Sequence, residues 1–289
     1  MGIVWIASYP KSGNTWVRFL LANYFAGPIT DSARVEAAVP SLTPTTDLVG
    51  LLATHSPLCM KTHFPWSIAH PFSAQTEKAI VIVRYPKDIL LSNLHYHRLL
   101  AGNEDGYSDL TYARAFIAAG ADPLWMEKRG YGTLEAHVGS WLDNPTAPPR
   151  LLVRYEDLAR DTGAELGRIL SFLNLAVDWQ RVQSAVAASS FHRMREIETR
   201  EKSTRSDSPV FPGQAPQNGS GRFFVNRGRI GSSLAHIDPK LDEAFESRFG
   251  LLMRRLGYNS LAPSLPFTGT AAVRSAPSSP LSDGLSRSA

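Results

Sequence analysis

One lysine, one glycine and several small polar residues are packed into YPKSGNTW, residues 9–16, directly after the apolar run IVWIAS and leading into WVRFLLANYF. Where a strand turns into a helix, the first backbone N–H groups have no partner within the helix, and the helix dipole is positive there. The N–H groups of Ser12, Gly13, Asn14 and Thr15 would therefore point outward. Gly13 allows an unusual backbone angle and close approach, Lys11 adds a positive charge, and Ser12 and Thr15 add hydroxyl donors. Such a turn is a cradle for a phosphate-like anion. A capped helix with a solvated Lys11, and Ser12 or Asn14 as the cap, uses the same residues, and local physics leaves both readings open. The standard nucleotide loop G-x-x-x-x-G-K-[ST] is not matched, because the lysine precedes the single glycine, and this weakens an ATP or GTP reading.

Two further groups could act with this turn. In LCMKTH the alternation of a strand puts Lys61 and His63 on one face. At the strand's end that face could meet an anion held by Lys11, which makes His63 a candidate general base; a polar residue at a sheet edge is the plainer reading. Arg84 ends AIVIVRY, the most strand-like stretch of the chain, where an arginine needs an anionic partner. Ser92, one turn beyond Asp88 on the following helix, could face the same crevice. The structural alternative is an Arg84–Asp88 pair with a solvated Ser92.

The elements that would position these residues can be read from periodicity and turn chemistry. GIVWIAS, LCMKTH, AIVIVRY and RLLVRY read as strands. Helical patterns follow the first of them in NTWVRFLLANYF, then once or twice within 31–56. They recur in PKDILLSNLHYHRLL, whose proline suits a first helical position, near 108–119 and 131–142, in GAELGRILSFLNL, near 178–188, and in PKLDEAFESRFGLLMRRLGY. Residues 196–222 are polar and rich in Gly, Pro and Ser, and read as a long mobile loop. Strands alternating with helices, several of the strands apolar throughout, imply a mainly parallel sheet covered on both faces. In such α/β sheets ligands sit at the carboxyl ends of the strands.

Composition narrows the classes. The chain has 289 residues, 43% of them hydrophobic, enough for one sizeable core over residues 1–258. Residues 259–289 are dominated by Ser, Pro and Ala and are expected to be disordered. The net charge is +4 without dense basic clusters, so a small anion is a better partner than nucleic acid. Cys59 is the single cysteine, which rules out an internal disulfide and suits a reducing cytoplasm. The first residues lack the basic region of a signal peptide, and no apolar run is long enough to span a membrane.

These stretches carry a resemblance. YPKSGNTW resembles the 5′-phosphosulfate loop of the cytosolic sulfotransferases, usually written YPKSGTTW, with Asn14 as its one departure. MKTHFP resembles the family's KTHLP segment, and RYPKDILLSNLHYH its 3′-phosphate segment. YGTLEAHVGSW, VRYEDL and SSFHRM follow its GSWYxHVxxWW, YEDM and TSFxxM pattern, and RGRIG echoes RKGxxG. The resemblance covers roughly residues 2–258, and the WIASYPKSGNTWVR opening and FVNRGR ending look most like a bacterial branch that includes enzymes sulfating glycopeptide antibiotics.

The resemblance implies a P-loop-like three-layer fold and 3′-phosphoadenosine-5′-phosphosulfate (PAPS) as sulfuryl donor, leaving adenosine 3′,5′-bisphosphate. It implies that His63 is the catalytic base and that Lys11 and Lys61 neutralise developing charge. Ser12, Gly13, Asn14, Thr15 and Trp16 then form the phosphosulfate loop, and Arg84 and Ser92 hold the 3′-phosphate. Arg227 and Gly228 close over that phosphate, although Asn226 stands where the family has an arginine and Ser233 where it has a tryptophan. Tyr155, Ser190, Phe191 and Met194 match positions around the adenine. No metal is expected, because lysines and backbone donors would do what magnesium does in phosphoryl transfer. The partner would be a small molecule bearing a phenol or alcohol, approached by Phe64, Trp66, His95, Tyr96 and His97, with acceptor choice set by residues 25–57 and 196–222. A homodimer is left open. A P-loop kinase and a non-catalytic nucleotide-binding protein are the alternatives.

Overall fold

The computed structural model describes residues 2–101, 108–204, 208–213, 222–226 and 228–258. The strands β1 (Ile3–Ser8), β2 (Leu58–Thr62), β3 (Thr76–Val83) and β4 (Arg150–Arg154) form a parallel sheet in the order β2-β1-β3-β4. All six residues of β1 are buried, because helices cover both faces and the alternation of side chains feeds two separate cores. Val4 and Ile6 join Cys59, Ile80, Ile82 and Val153 on one face. Ile3, Trp5 and Ala7 join Met60, Ala79, Val81 and Val83 on the other.

The helices are α1 (Asn14–Ala26), α2 (Ser32–Ala38), α3 (Leu48–Thr54), α4 (Pro86–Ala101), α5 (Asp109–Ala119), α6 (Leu134–Leu142), α7 (Tyr155–Arg160), α8 (Thr162–Phe172), α9 (Trp179–Ala188), α10 (Phe191–Ser203) and α11 (Leu241–Arg255). The first core takes Val17 and Leu20 of α1, Leu166 of α8, Val182 of α9 and Ile197 of α10. The second takes Ile89 and Leu90 of α4, Phe116 of α5, Val138 of α6 and Phe249 of α11. The expected three-layer α/β architecture is thus present. A π-helical turn at Leu124–Lys128 has no counterpart among the sequence expectations, since a five-residue turn carries no periodic signal.

The expected loop 196–222 needs correction at its start, because α10 runs on to Ser203. The composition of REIETREKS hid this: only Met194 and Ile197 are apolar on its buried side, and the stripe is completed by ionised groups. Glu198 is fully buried and forms an ion pair with buried Lys202, Nζ to Oε1 at 2.8 Å. The same carboxylate accepts the N–H groups of Phe224 and Val225. A buried charge has to be paired and hydrogen-bonded, and here that requirement fastens the segment 222–226 to α10. Val210 and Phe211 are buried as well. The remainder of the expected loop, 205–207 and 214–221, lies outside the described residues, as does the expected tail 259–289.

The strand ends matter most. β1 runs into the turn that carries Lys11, His63 follows Thr62 at the end of β2, and Arg84 follows Val83 at the end of β3. Three neighbouring parallel strands therefore deliver these side chains to one edge of the sheet. The fold predicts a stability contrast on α10. Removing Glu198 leaves a buried ammonium and two backbone donors unpaired, so Glu198→Ala should lower the unfolding free energy by about 3 kcal/mol or more. Glu196→Ala, on the solvent face of the same helix, should leave the urea midpoint nearly unchanged. Equal midpoints for the two variants would show that α10 is not pinned by this pair.

Candidate active site

The carboxyl edge of the sheet opens into a cleft of about 1230 Å³. At its base the β1–α1 turn is tightened by a bond from Ser12 N–H to the Tyr9 carbonyl, 3.3 Å, and by a left-handed Lys11, φ 69°. Helices α5, α6, α8, α9 and α10 open on a Ser, Thr or Asp whose side chain accepts a first-turn N–H. α1 opens instead on Gly13, φ 107°, with no side-chain cap. Among the described residues the N–H groups of Gly13, Asn14 and Thr15 donate to no protein group. The capped-helix reading therefore fails, and the turn presents consecutive open donors at the positive end of a helix. A Cβ on Gly13 would come within 2.5 Å of the Tyr155 ring, so a side chain here is excluded by Tyr155 as well as by the positive φ.

The other members of the turn divide. Thr15 and Trp16 line the cleft, and Trp16 is held by its Nε1–H on the Ser189 carbonyl, 3.1 Å. Asn14 donates through Nδ2 to the Ile6 carbonyl at 2.9 Å and to Ser8 Oγ at 3.3 Å, tying the helix start to β1. Its Oδ1 and the Ser12 hydroxyl oxygen are buried without a protein partner among the described residues. Ser12 is 1% exposed and does not itself form the cleft wall.

Lys11 extends over two rings, its Nζ 3.7 Å from the Phe224 centroid and 4.5 Å from that of Tyr96. Burial, with Arg84 and Lys61 nearby, pulls its pKa down to about 7, against an opposing pull from Glu198. The full charge expected on this lysine is thus weakened by its surroundings. Lys61 is lowered to about 8, by burial first and Arg18 second, with Glu36 opposing. Arg18 itself lines the cleft and is spent on Glu36, 2.6 Å, and the Val39 carbonyl.

His63 shares the cleft with both lysines, as the strand alternation implied. Its Nδ1 lies 2.7 Å from the Ser8 carbonyl. A carbonyl can only accept, so Nδ1 carries the proton and Nε2 keeps its lone pair. Burial, and then Lys61, hold its pKa well below the ordinary value, which keeps the ring neutral at pH 7.

Arg84 is 8% exposed. Its two NH groups donate to the Lys11 and Arg229 carbonyls, at 3.1 and 2.9 Å, its guanidinium lies 4.3 Å from the Tyr155 ring centroid, and its Nε has no partner. The Arg84–Asp88 alternative is not realised. Asp88 accepts the N–H groups of Gly231 and Ser232, which draws the late RGRIG segment across the cleft. Among the described residues Arg84 meets no carboxylate, and half-buried Ser92 lines the same cleft without a protein partner.

Tyr155, Phe191, Met194 and Gly228 also line it. Gly228 is left-handed, φ 57°, and a Cβ there would meet the Tyr155 hydroxyl at 2.9 Å. Ser190 does not join them; its Oγ accepts the Arg193 N–H as the cap of α10. Asn226 reaches the cleft, whereas Arg227 lies outside the described residues.

The acceptor side differs more from expectation. His95 and Tyr96 line the cleft. His97 pairs with buried Asp122 at 2.7 Å, Trp66 is buried among His70 and Trp141, and Phe64 packs edge-on against Tyr131. None of residues 25–57 forms the cleft wall among the described residues. Trp125, Tyr131 and Phe224 do so instead. Trp125 and Tyr131 belong to the π-helical turn and its exit, which the sequence does not announce.

The geometry agrees with comparisons to known proteins. A family model, "Sulfotransferase domain", matches residues 2–257. Sulfotransferase 1E1 of Cavia porcellus is 26% identical over 258 residues, covering 86% of this chain and 82% of the relative. Amine sulfotransferase of Oryctolagus cuniculus is 24% identical over 252 residues, covering 85% and 79%. Among solved structures, mouse sulfotransferase SULT7A1 complexed with PAP superposes with a TM-score of 0.62 at 20% identity, covering 88% of this chain and 84% of that one. Retinol dehydratase in a complex with retinol and PAP superposes at 0.61 with 18% identity, covering 87% and 81%. The chain belongs to the sulfotransferase family, and it is an enzyme of sulfuryl transfer.

Proposed function

We propose that the protein transfers the sulfuryl group of PAPS to the hydroxyl of a flat small molecule, with His63 as general base. The observation that carries this is the His63 tautomer: Nδ1–H is committed to the Ser8 carbonyl, 2.7 Å away, and the basic Nε2 is left to a cleft that also holds Lys11 and Lys61. A PAP-bound neighbour of the same fold supports the choice of donor, and the complexes of retinol dehydratase with androsterone and with retinol support a small-molecule acceptor. The cytoplasm is the setting inferred.

The residues present fit the donor. A phosphosulfate needs anion donors, and the open N–H groups of Gly13, Asn14 and Thr15 with Lys11 supply them. A 3′-phosphate needs a cation without a carboxylate, and Arg84, with an unpartnered Nε, is one. An adenine needs flat and apolar walls, which Trp16, Tyr155, Phe191 and Met194 provide. We assign Ser92 and Gly228 to the 3′-phosphate side, Lys61 to charge neutralisation beside His63, and Arg227 to the phosphate by resemblance alone. Bound there, PAPS supplies a sulfuryl group activated by its bond to a good leaving phosphate. His63 Nε2 takes the proton of the acceptor hydroxyl as that oxygen attacks. Lys11 and Lys61 keep positive charge at the end of the cleft where the departing oxygens become more negative.

Three outcomes test this. His63→Ala should lower turnover about a hundredfold or more while the dissociation constant of adenosine 3′,5′-bisphosphate stays put; near-normal turnover would remove the base assignment. By calorimetry the bisphosphate should bind at least about tenfold more tightly than AMP, a gap of about 1.4 kcal/mol, and equal affinities would take the 3′-phosphate away from Arg84 and Ser92. The third outcome concerns Lys11, lowered to about 7, and Lys61, lowered to about 8. At pH 8.5 both are largely neutral, and an anion beside them favours the charged form, so their pKa values rise on binding. Bisphosphate binding at that pH should take up protons, seen as heats that vary with the ionisation enthalpy of the buffer. At pH 6, below both values, the uptake from these groups should vanish. No buffer dependence at pH 8.5 would place both lysines away from the anion.

A further inference from the structure

A continuous aromatic wall joins the base to the lysine. The His63 ring lies 5.7 Å from Tyr131, Tyr131 stacks on Trp125 at 6.1 Å and 27°, Trp125 lies 5.5 Å from Tyr96, and Lys11 Nζ stands 4.5 Å above Tyr96. The wall is built by the π-helical turn. Tyr131 N–H bonds back to the Trp125 carbonyl at 3.0 Å, and left-handed glycines stand on either side of Tyr131, Gly130 at φ 66° and Gly132 at φ 71°. These bonds and angles fix Trp125, Arg129 and Tyr131 relative to one another.

Arg129 terminates this turn and lines the same cleft. It forms no ion pair among the described residues, unlike the arginines near it: Arg98 is paired with Asp109, and Arg18 with Glu36. Its charge reaches the wall: burial raises the phenol pKa of Tyr96 and of Tyr131, and Arg129 pulls both back down. Neither phenol makes a hydrogen bond to a described residue. Among the described residues the acidic side chains on the cleft wall are Asp88 and Asp109, and both are committed, to the Gly231 and Ser232 N–H groups and to Arg98. Among the described residues the side of the cleft beside His63 therefore offers a flat apolar surface, two phenol hydroxyls without a protein partner and, in Arg129, a cation without a carboxylate in addition to Lys11 and Lys61, and no uncommitted carboxylate to meet an amine.

We propose that Arg129 makes the cleft select acceptors that carry an acidic group, a hydroxylated aromatic acid in which a carboxylate lies on Arg129 while the ring lies along the Tyr131–Trp125–Tyr96 wall and its hydroxyl meets His63. The inference rests on the proposed sulfuryl transfer to a hydroxyl and specifies its substrate class. A guanidinium suits a planar carboxylate better than an ammonium does. Arg129 is exposed, so the attraction is of the size of an exposed ion pair.

The test compares 4-hydroxyphenylacetate with its methyl ester as acceptors, with PAPS as donor, in the native protein and in Arg129→Gln. The native protein should favour the acid in kcat/KM by about fivefold or more, the upper end of an exposed ion pair. In the variant the ratio should fall towards one, with kcat/KM for the ester and the affinity for adenosine 3′,5′-bisphosphate unchanged, and raised salt should shrink the preference of the native protein alone. A native protein indifferent to the acid, or preferring the ester, overturns the inference, as does a variant that loses both acceptors equally. If neither phenol is sulfated, the proposed reaction on hydroxyls falls instead. Calorimetric binding of acid and ester to the bisphosphate complex then decides the carboxylate preference by the same ratio.

Discussion

Three cations at one edge of a sheet, Arg84 buried and Lys11 and Lys61 half-buried, none of them with a carboxylate at hydrogen-bonding distance among the described residues, set the terms for the rest of this structure. Lys11, Lys61 and Arg84 are placed by the ends of three adjacent strands. Burying a charge without a partner costs several kcal/mol, and placing like charges side by side adds to it. The two lysines answer by giving up part of their protonation, lowered to about 7 and about 8, whereas a guanidinium cannot do so near neutral pH. Arg84 is held instead by two carbonyls and the Tyr155 ring. The fold must supply enough apolar burial to hold this arrangement, and it does so on both faces of the sheet, where every residue of β1 is inside. A site of this kind is preorganised for an anion: the cost of desolvating the cations is met on folding and recovered on binding.

The same positive field accounts for the state of His63. A histidine near a carboxylate is drawn towards its charged form, but His63 is half-buried and largely desolvated and faces lysines, so its pKa moves down. Its orientation comes from a different source, the Ser8 carbonyl at the end of β1. Neighbouring strands thus cooperate. β1 fixes the ring and its tautomer, and β2 carries it into the cleft beside Lys61. Asn14 belongs to this arrangement too, since its amide bonds the Ile6 carbonyl and Ser8 Oγ and so steadies the strand end on which His63 leans.

Much of this can be read in the sequence because it rests on short-range pattern. The all-apolar strands announce a sheet covered twice, and Lys61 and His63 fall on one face because a strand has a period of two. The turn at residues 9–16 shows its chemistry through Lys11, Gly13 and Thr15. What escapes is whatever depends on long-range partners. α10 was concealed because its buried face holds Glu198 and Lys202, residues that composition counts as solvent-facing, and only the Phe224 and Val225 N–H groups explain why a carboxylate belongs inside. Ser190 matches an adenine-site position in sequence, yet its hydroxyl caps a helix. The acceptor wall escaped for a similar reason. Trp125 and Tyr131 come from a π-helical turn and its exit, held by backbone bonds, by the Asp122 carboxylate that accepts the Leu124 and Trp125 N–H groups, and by two glycines with positive φ, and no hydrophobic period marks such a turn.

The two sides of the cleft, those proposed for donor and for acceptor, are built on different physical principles. The donor side is fixed by backbone: the open N–H groups of a helix start, the carbonyls that grip Arg84, and two glycines, Gly13 and Gly228, that let Tyr155 approach the chain. Side-chain changes elsewhere leave such a frame in place. The acceptor side is made of side chains on a turn and on a segment pinned from α10, where one substitution exchanges a ring or a charge without moving a strand. Lys11 stands where the two meet. Its backbone belongs to the anion turn, while its Nζ rests over Tyr96 and Phe224, rings of the acceptor side. An aromatic face stabilises the ammonium and not the neutral amine, so those rings oppose the loss of charge that burial imposes. The residues proposed to choose the acceptor therefore also bear on the protonation of the lysine proposed to meet the donor.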